Sequence, residues 1–134
     1  MGEDAGVITT KGDAMATTDT TCSIHPYFKV HEGKLADFRA VAERMVAATA
    51  TEPGCLYYGF TYDGDQAYCR EAYANADALL AHAGHVGPLL QEALGLSDLV
   101  KMEIHGSADE IAKLREPMAP LGAQFYVLEC GFRR

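Results

Sequence analysis

His82 and His85 stand three positions apart in the stretch ADALLAHAGH, a spacing that puts both imidazoles on one face where the stretch is helical. Imidazole exchanges a proton near neutral pH, so His82 is read as a catalytic residue for proton transfer, with His85 as a substrate-binding neighbour. Glu71 and Tyr73 lie two apart in QAYCREAY and share one face of a strand, whereas Arg70 points the other way and makes no intimate pair with Glu71. Both are taken as catalytic candidates: Glu71 to orient His82 or to pair across a subunit boundary, Tyr73 to hydrogen-bond a phenolic group. Tyr58, Tyr62 and Tyr68 are read as further substrate-binding groups, although a tyrosine also serves as a sheet-face residue with its hydroxyl in water. Asn75 offers an amide to a ligand or a cap to the helix that follows.

Other chemistries lack their residues. No serine sits in a nucleophile elbow, and the glycines form no phosphate-binding loop. Cys22, Cys55, Cys69 and Cys130 form no CxxC pair or zinc spacing and are read as structural thiols. A metal site at His82 and His85 would need a further ligand from His25, His105 or Glu71, so neither metal nor cofactor is expected. Eleven Lys and Arg against nineteen Asp and Glu leave a net charge of −8, which repels phosphate backbones and anionic membranes. There is no secretory signal and no apolar run of bilayer length, so a cytoplasmic protein is expected.

The elements that must hold these residues follow from periodicity. Residues 1–22 are rich in Thr, Gly, Asp and Ala and read as a flexible arm, leaving 23–134 as the domain. IHPYFKV reads as a first strand. Leu35, Phe38, Val41, Ala42, Met45 and Val46 recur at spacings of three and four, giving an amphipathic helix that Pro53 and Gly54 close off. Residues 55–74 divide at Asp63 and Gly64 into a hairpin, with Leu56, Tyr58, Phe60 and Tyr62 on one face of its first arm. A helix around ADALLAHAGH is expected to break or bend at Gly84, Gly87 and Pro88. In the next strand Leu99, Lys101, Glu103 and His105 oppose Val100, Met102 and Ile104. A short helix after Ser107 and a last strand over 124–132 complete the chain. The order is that of a split βαβ, ferredoxin-like α+β sheet with both main helices on one face. The uncovered face is expected to pair with a second subunit as a homodimer.

At EPGCLYYGFTYDGDQAYCREAYANADALLAHAGH the chain resembles the antibiotic biosynthesis monooxygenase family. The resemblance rests on Glu52, Pro53, Gly54 and Cys55 entering a strand, on Glu71 and Tyr73 ending the next, and on His82 late in the following helix. It covers about residues 24–106 and the closing strand, leaving 107–123 as an extension. It implies a dimeric α/β barrel with a pocket between helices and sheet. There a phenolic, quinol or polyketide-like substrate is deprotonated and passes electrons to dioxygen without metal or flavin. Trp is absent from the chain, which departs from the haem-degrading relatives. The function expected is a cofactor-independent monooxygenase for a small aromatic substrate; the alternative is a noncatalytic ligand-binding or dimeric interaction protein.

Overall fold

A computed structural model describes residues 19–134. Of the expected arm, residues 1–18 lie outside the described residues, and 19–22 pack onto the domain. The Thr20 hydroxyl donates to the Ala74 carbonyl at 2.6 Å and Arg133 Nε donates to Asp19 at 3.0 Å. The first strand, β1 (Cys22–Val30), buries Cys22, Ile24, Phe28 and Val30 on one face. Helix α1 (Leu35–Thr49) follows, burying Phe38, Val41, Ala42 and Met45, the stripe expected from their spacing.

The hairpin is β2 (Cys55–Asp63) and β3 (Gln66–Tyr73), turning at Gly64, whose φ of 59° is left-handed and suits a residue without Cβ. Helix α2 (Ala76–Leu94) runs unbroken through Pro88, so of the break or bend expected there no break occurs. A proline inside a helix removes one backbone hydrogen bond. Burial of Leu79, His82, Val86 and Ala93 along one stripe on both sides of it outweighs that loss. Strand β4 (Ser97–Gly106), helix α3 (Ala108–Leu114), a 3-10 turn at Ala119–Leu121 and strand β5 (Gln124–Val127) complete the described chain. The last strand is shorter than the 124–132 segment expected.

The sheet order is β2-β3-β1-β4-β5, antiparallel except for the parallel β4–β5 edge. The first four strands with α1 and α2 are the expected ferredoxin-like α+β arrangement. Two irregularities overturn the simple alternation. Between Tyr27 and Phe28 the β1–β4 register slips past Val100, so Leu99 packs toward the core and Val100 is 63% exposed. Between Cys55 and Tyr57 the β2–β3 register slips past Leu56, which turns outward while Cys55 packs toward the helices.

All helices cover one side of the sheet. The other carries an aromatic band: Tyr27 and Tyr68 rings lie 4.8 Å apart, His25 and His105 4.7 Å, and His105 and Tyr126 4.7 Å. Arg70 lies 4.4 Å from the centre of the Tyr57 ring on that side.

The start of α2 is fixed from two elements. Asn75 accepts the Ala78 N–H at 2.8 Å, and Glu110 on α3 accepts the buried Ala76 N–H, also at 2.8 Å. These satisfy helix N-terminal donors that have no intrahelical partner. Glu110→Ala leaves the Ala76 N–H buried and unpaired and is expected to cost about 1–3 kcal/mol in urea denaturation. Glu110→Gln keeps an acceptor and is expected to cost less.

Candidate active site

The turn between α1 and β2 brings a carboxylate onto α2 because Gly54 carries no side chain. A Cβ there would lie 2.6 Å from the Ala78 Cβ, closer than two carbons can approach. The Gly54 carbonyl also accepts the Ala74 N–H at 2.9 Å, locking the turn to the end of β3. Glu52 is thereby held against both histidines of α2. Its Oε1 and Oε2 lie 2.9 and 3.1 Å from His82 Nδ1, and Oε2 lies 2.7 Å from His85 Nδ1.

On its other side His82 meets the end of β3. His82 Nε2 is 3.4 Å from Glu71 Oε1, and the Tyr73 hydroxyl donates to that same oxygen at 2.5 Å. The rings of Tyr73 and Tyr58 lie 4.8 and 5.3 Å from the imidazole. Glu71, Tyr73 and His82 are each at most 5% exposed.

Burial sets the protonation states. Desolvation pushes the Glu71 carboxyl up to about 8, with the Glu52 charge adding to the rise, against hydrogen bonds from Tyr73 and Cys69 that favour the anion. Glu71 is therefore a neutral acid at pH 7. Desolvation lowers His82 below its ordinary value, only partly opposed by Glu52, so the ring is uncharged. With Glu52 accepting the Nδ1 proton, the lone pair of His82 sits on Nε2 and faces the Glu71–Tyr73 pair. A base backed by a carboxylate thus faces a protonated acid. Burial also raises Tyr58, Tyr73 and Cys69, so none is ionised near neutrality.

Tyr58, Cys69, Glu71 and His82 form the polar end of a cavity of about 50 Å³ whose remaining wall is apolar, including Ile24, Phe28, Met45, Val86 and Met102, while Tyr73 stands behind Glu71. Met118 and Leu121, from the connection between α3 and β5, line it as well. The extension at 107–123 is therefore part of the cavity wall. An apolar cavity of roughly 150 Å³ is needed for benzene, so an aromatic ring enters only if this wall moves. Methionine, unbranched and soft, suits such a wall. Tyr58 is common to the cavity and to an outer cleft of about 170 Å³ that Glu52, Thr49 and Cys55 also line.

The structure thus brings His82, Glu71, Tyr73 and Tyr58 together, with His85 at the surface end of the cluster. It does not bring the other candidates there. The Asn75 side chain caps α2. Tyr62 packs edge-on to Phe38 with Arg39 over its ring, clear of the cavity. Tyr68 lies on the opposite face of the sheet, its hydroxyl 2.9 Å from His25 Nδ1. His25 and His105 lie on that opposite face too, so neither converges on His82 as a metal ligand would have to. No group of three or more His, Cys, Asp or Glu among the described residues is arranged to hold a metal ion. Glu52, Met118 and Leu121 were not singled out as site residues. The signal for Glu52 was its place in the Glu-Pro-Gly-Cys turn; Met118 and Leu121 gave none.

The model for antibiotic biosynthesis monooxygenases matches residues 22–87, a span that includes Glu52, Glu71, Tyr73, His82 and His85. The chain belongs to that family. It is 43% identical to MupZ from Pseudomonas fluorescens over 85% of this chain and 94% of that one, with a TM-score of 0.81. SnoaB, a cofactor-independent oxygenase from Streptomyces nogalater, shares the fold at 19% identity, covering 63% of this chain and 90% of its own with a TM-score of 0.57. Rv0793 from Mycobacterium tuberculosis does so at 20% identity, covering 63% of this chain and 91% of its own, TM-score 0.58. None of the curated proteins matches the chain. The similarity to MupZ extends over far more of the chain than the similarity to the other two. No described helix is long and apolar enough to cross a membrane.

Because Gly54 alone permits the close approach to Ala78, Gly54→Ala is expected to destabilise the protein by about 1–3 kcal/mol, as overpacking does. It is also expected to shift the His82 imidazole resonances by moving Glu52. Thermal unfolding and histidine NMR check the two effects.

Proposed function

We propose that the protein is a cofactor-independent monooxygenase acting on a small, largely apolar phenol, quinol or polyketide-like substrate. The observation that carries this reading is His82 held between Glu52, 2.9 Å from Nδ1, and the buried Glu71, 3.4 Å from Nε2, at the polar end of an otherwise apolar cavity. Such a site can take a proton from an enol or phenol and hold the resulting anion without water. No Lys or Arg lines the cavity. Stabilisation of a developing oxyanion therefore falls to hydrogen bonds from Glu71, which Tyr73 supports from behind, and from Tyr58.

The chemistry balances without a separate reductant. His82 Nε2 takes the substrate hydroxyl proton, and the electron-rich carbanion-like carbon gives an electron to dioxygen. The two radicals combine into a C–O bond. The peroxide anion so formed takes a proton from Glu71; loss of the remaining C–H proton of that carbon to the Glu71 carboxylate, with cleavage of the O–O bond, then leaves a carbonyl on the substrate and hydroxide, which takes the proton held on His82 Nε2 and departs as water. Substrate supplies the electrons for both oxygen atoms. Substrate entry requires displacement of the Met118 and Leu121 wall. A second reading, ligand binding without turnover, is favoured by the small closed cavity.

Oxygen-electrode measurements with a panel of naphthols, anthrones and quinols test both readings. Catalysis predicts substrate-dependent oxygen consumption that His82→Ala lowers about 100-fold or more. Saturable ligand binding with no oxygen uptake by any panel member would favour the second reading. With Glu71 as the acid and its carboxyl near 8, kcat/KM is expected to fall above about pH 8, and this alkaline limb is expected to be lost in Glu71→Gln.

The aromatic sheet face fits a second copy of the chain. Tyr57, Val100, Tyr126 and Phe132 are exposed on this side and edge of the sheet, too much apolar surface for a face left in water. Light scattering coupled to size exclusion is expected to give twice the 14.4 kDa chain mass, and Val100→Glu to give the single chain.

A further inference from the structure

We propose that the groove between α1 and the edge strand β2 binds an extended, largely apolar chain with a carboxylate at one end and a hydroxyl at the other. The inference rests on the reading above and narrows it, choosing a polyketide-like chain from among the substrates named there.

Two clefts of about 420 and about 170 Å³ share Val46 and so form one groove. Its helix wall follows from spacing: Arg39, Glu43, Val46 and Thr49 recur at intervals of three and four, one stripe along α1. Its strand wall follows from the other period, since Tyr58, Phe60 and Tyr62 share a face of β2. Val46 is 39% exposed between them, an apolar strip open to solvent. The groove lies on the helix side of the sheet, away from the face that fits a second copy.

Each end carries a polar group without its partner. Thr49 is 1% exposed, and its hydroxyl is the one buried side-chain oxygen or nitrogen among the described residues that has no hydrogen-bond partner. Burial raises the Tyr58 phenol and the nearby Thr49 hydroxyl acts against that rise, yet the two are not placed to bond. A buried hydroxyl left unpaired costs stability, so a ligand hydroxyl that pairs it supplies what the folded chain lacks. At the other end the Arg39 guanidinium lies 4.8 Å from the centre of the Tyr62 ring and makes no ion pair with a described residue. Its planar fork of donors matches a carboxylate. Glu52 lines the Thr49 end, where a second carboxylate would meet like charge, so the anionic end of the chain belongs at Arg39.

Spacing along the helix sets the length of the occupant. Arg39 and Thr49 are ten residues apart on α1. That is about 15 Å, which an extended chain of about a dozen bonds spans. A hydroxyl and a carboxylate separated by about ten carbons fit it. The hydroxyl end then rests against Tyr58, which is also a wall of the inner cavity, so the chain meets the candidate active site at that end.

Titration calorimetry and methyl NMR with ω-hydroxydecanoate, decanoate and decanol test the groove. Wild type is expected to prefer ω-hydroxydecanoate to decanoate by about tenfold, one hydrogen bond to a buried group, and to decanol by about threefold, since Arg39 is exposed. Thr49→Val is expected to erase the first preference and Arg39→Gln the second, while Glu43→Gln tightens both acids by removing a like charge. Thr49→Val keeps the shape of the side chain and sheds an unpaired hydroxyl, so its thermal midpoint is expected to stay or rise. A lowered midpoint would show that the hydroxyl already has a partner within the protein and would overturn the proposal. Absence of binding, equal binding of the three probes, or preferences that the variants leave unchanged would overturn it too. So would shifts at the Met118 methyl without shifts at Val46, which place the chain in the inner cavity. Oxygen uptake reports separately on turnover, so failure of the groove and failure of the monooxygenase reading are told apart.

Discussion

The contact of Gly54 with Ala78 is the constraint on which the site depends. It lets a loop and a helix meet at a distance that any side chain would forbid. Glu52, two residues upstream, thereby reaches α2, and its carboxylate fixes which nitrogen of His82 carries the proton. Without that fixed tautomer, the lone pair of His82 would have no defined direction. With it, a base, an acid and a phenol converge on the polar end of one cavity. The fold spends its tightest packing on placing a single charged group.

Different depths for two carboxyl groups follow from the same geometry. Glu71 and Glu52 are both carboxyl groups near one imidazole, yet they differ in depth. Glu71 is buried among Tyr73, Cys69 and apolar side chains, so desolvation keeps its proton on. Glu52 stands at the rim, with the exposed His85 beside it.

The sheet separates two populations of histidine and tyrosine. Toward the helices, Tyr58 and His82 line the cavity, and Tyr73 packs against His82 and Glu71. Away from them, His25, Tyr27, Tyr68, His105 and Tyr126 make a continuous band across four strands. Composition alone pools these residues into one tyrosine-rich region. The strand period sorts them, since neighbours on a strand face opposite ways. Tyr68 and Glu71 are three residues apart on β3 and so lie on opposite faces, one in each population.

Much of this is legible in the sequence alone. The helical stripe of α1, the hairpin at Gly64, the split βαβ order and the shared face of Glu71 and Tyr73 follow from local periodicity and turn chemistry, which depend on near neighbours in the chain. The likeness around Glu-Pro-Gly-Cys pointed to the family. What periodicity missed are effects of distant partners. Burial against α1 carried α2 through Pro88, and bulges at Leu56 and Val100 reversed residues that strict alternation had placed. Tertiary packing decided the rest: Glu52 beside His82 across 30 residues of sequence, Met118 and Leu121 over the cavity, Tyr62 and Tyr68 away from it. The sequence by itself determined which elements form and which residue types can move a proton. Only the folded chain decided which of them meet, because convergence and desolvation belong to residues far apart in sequence, and no local pattern encodes either.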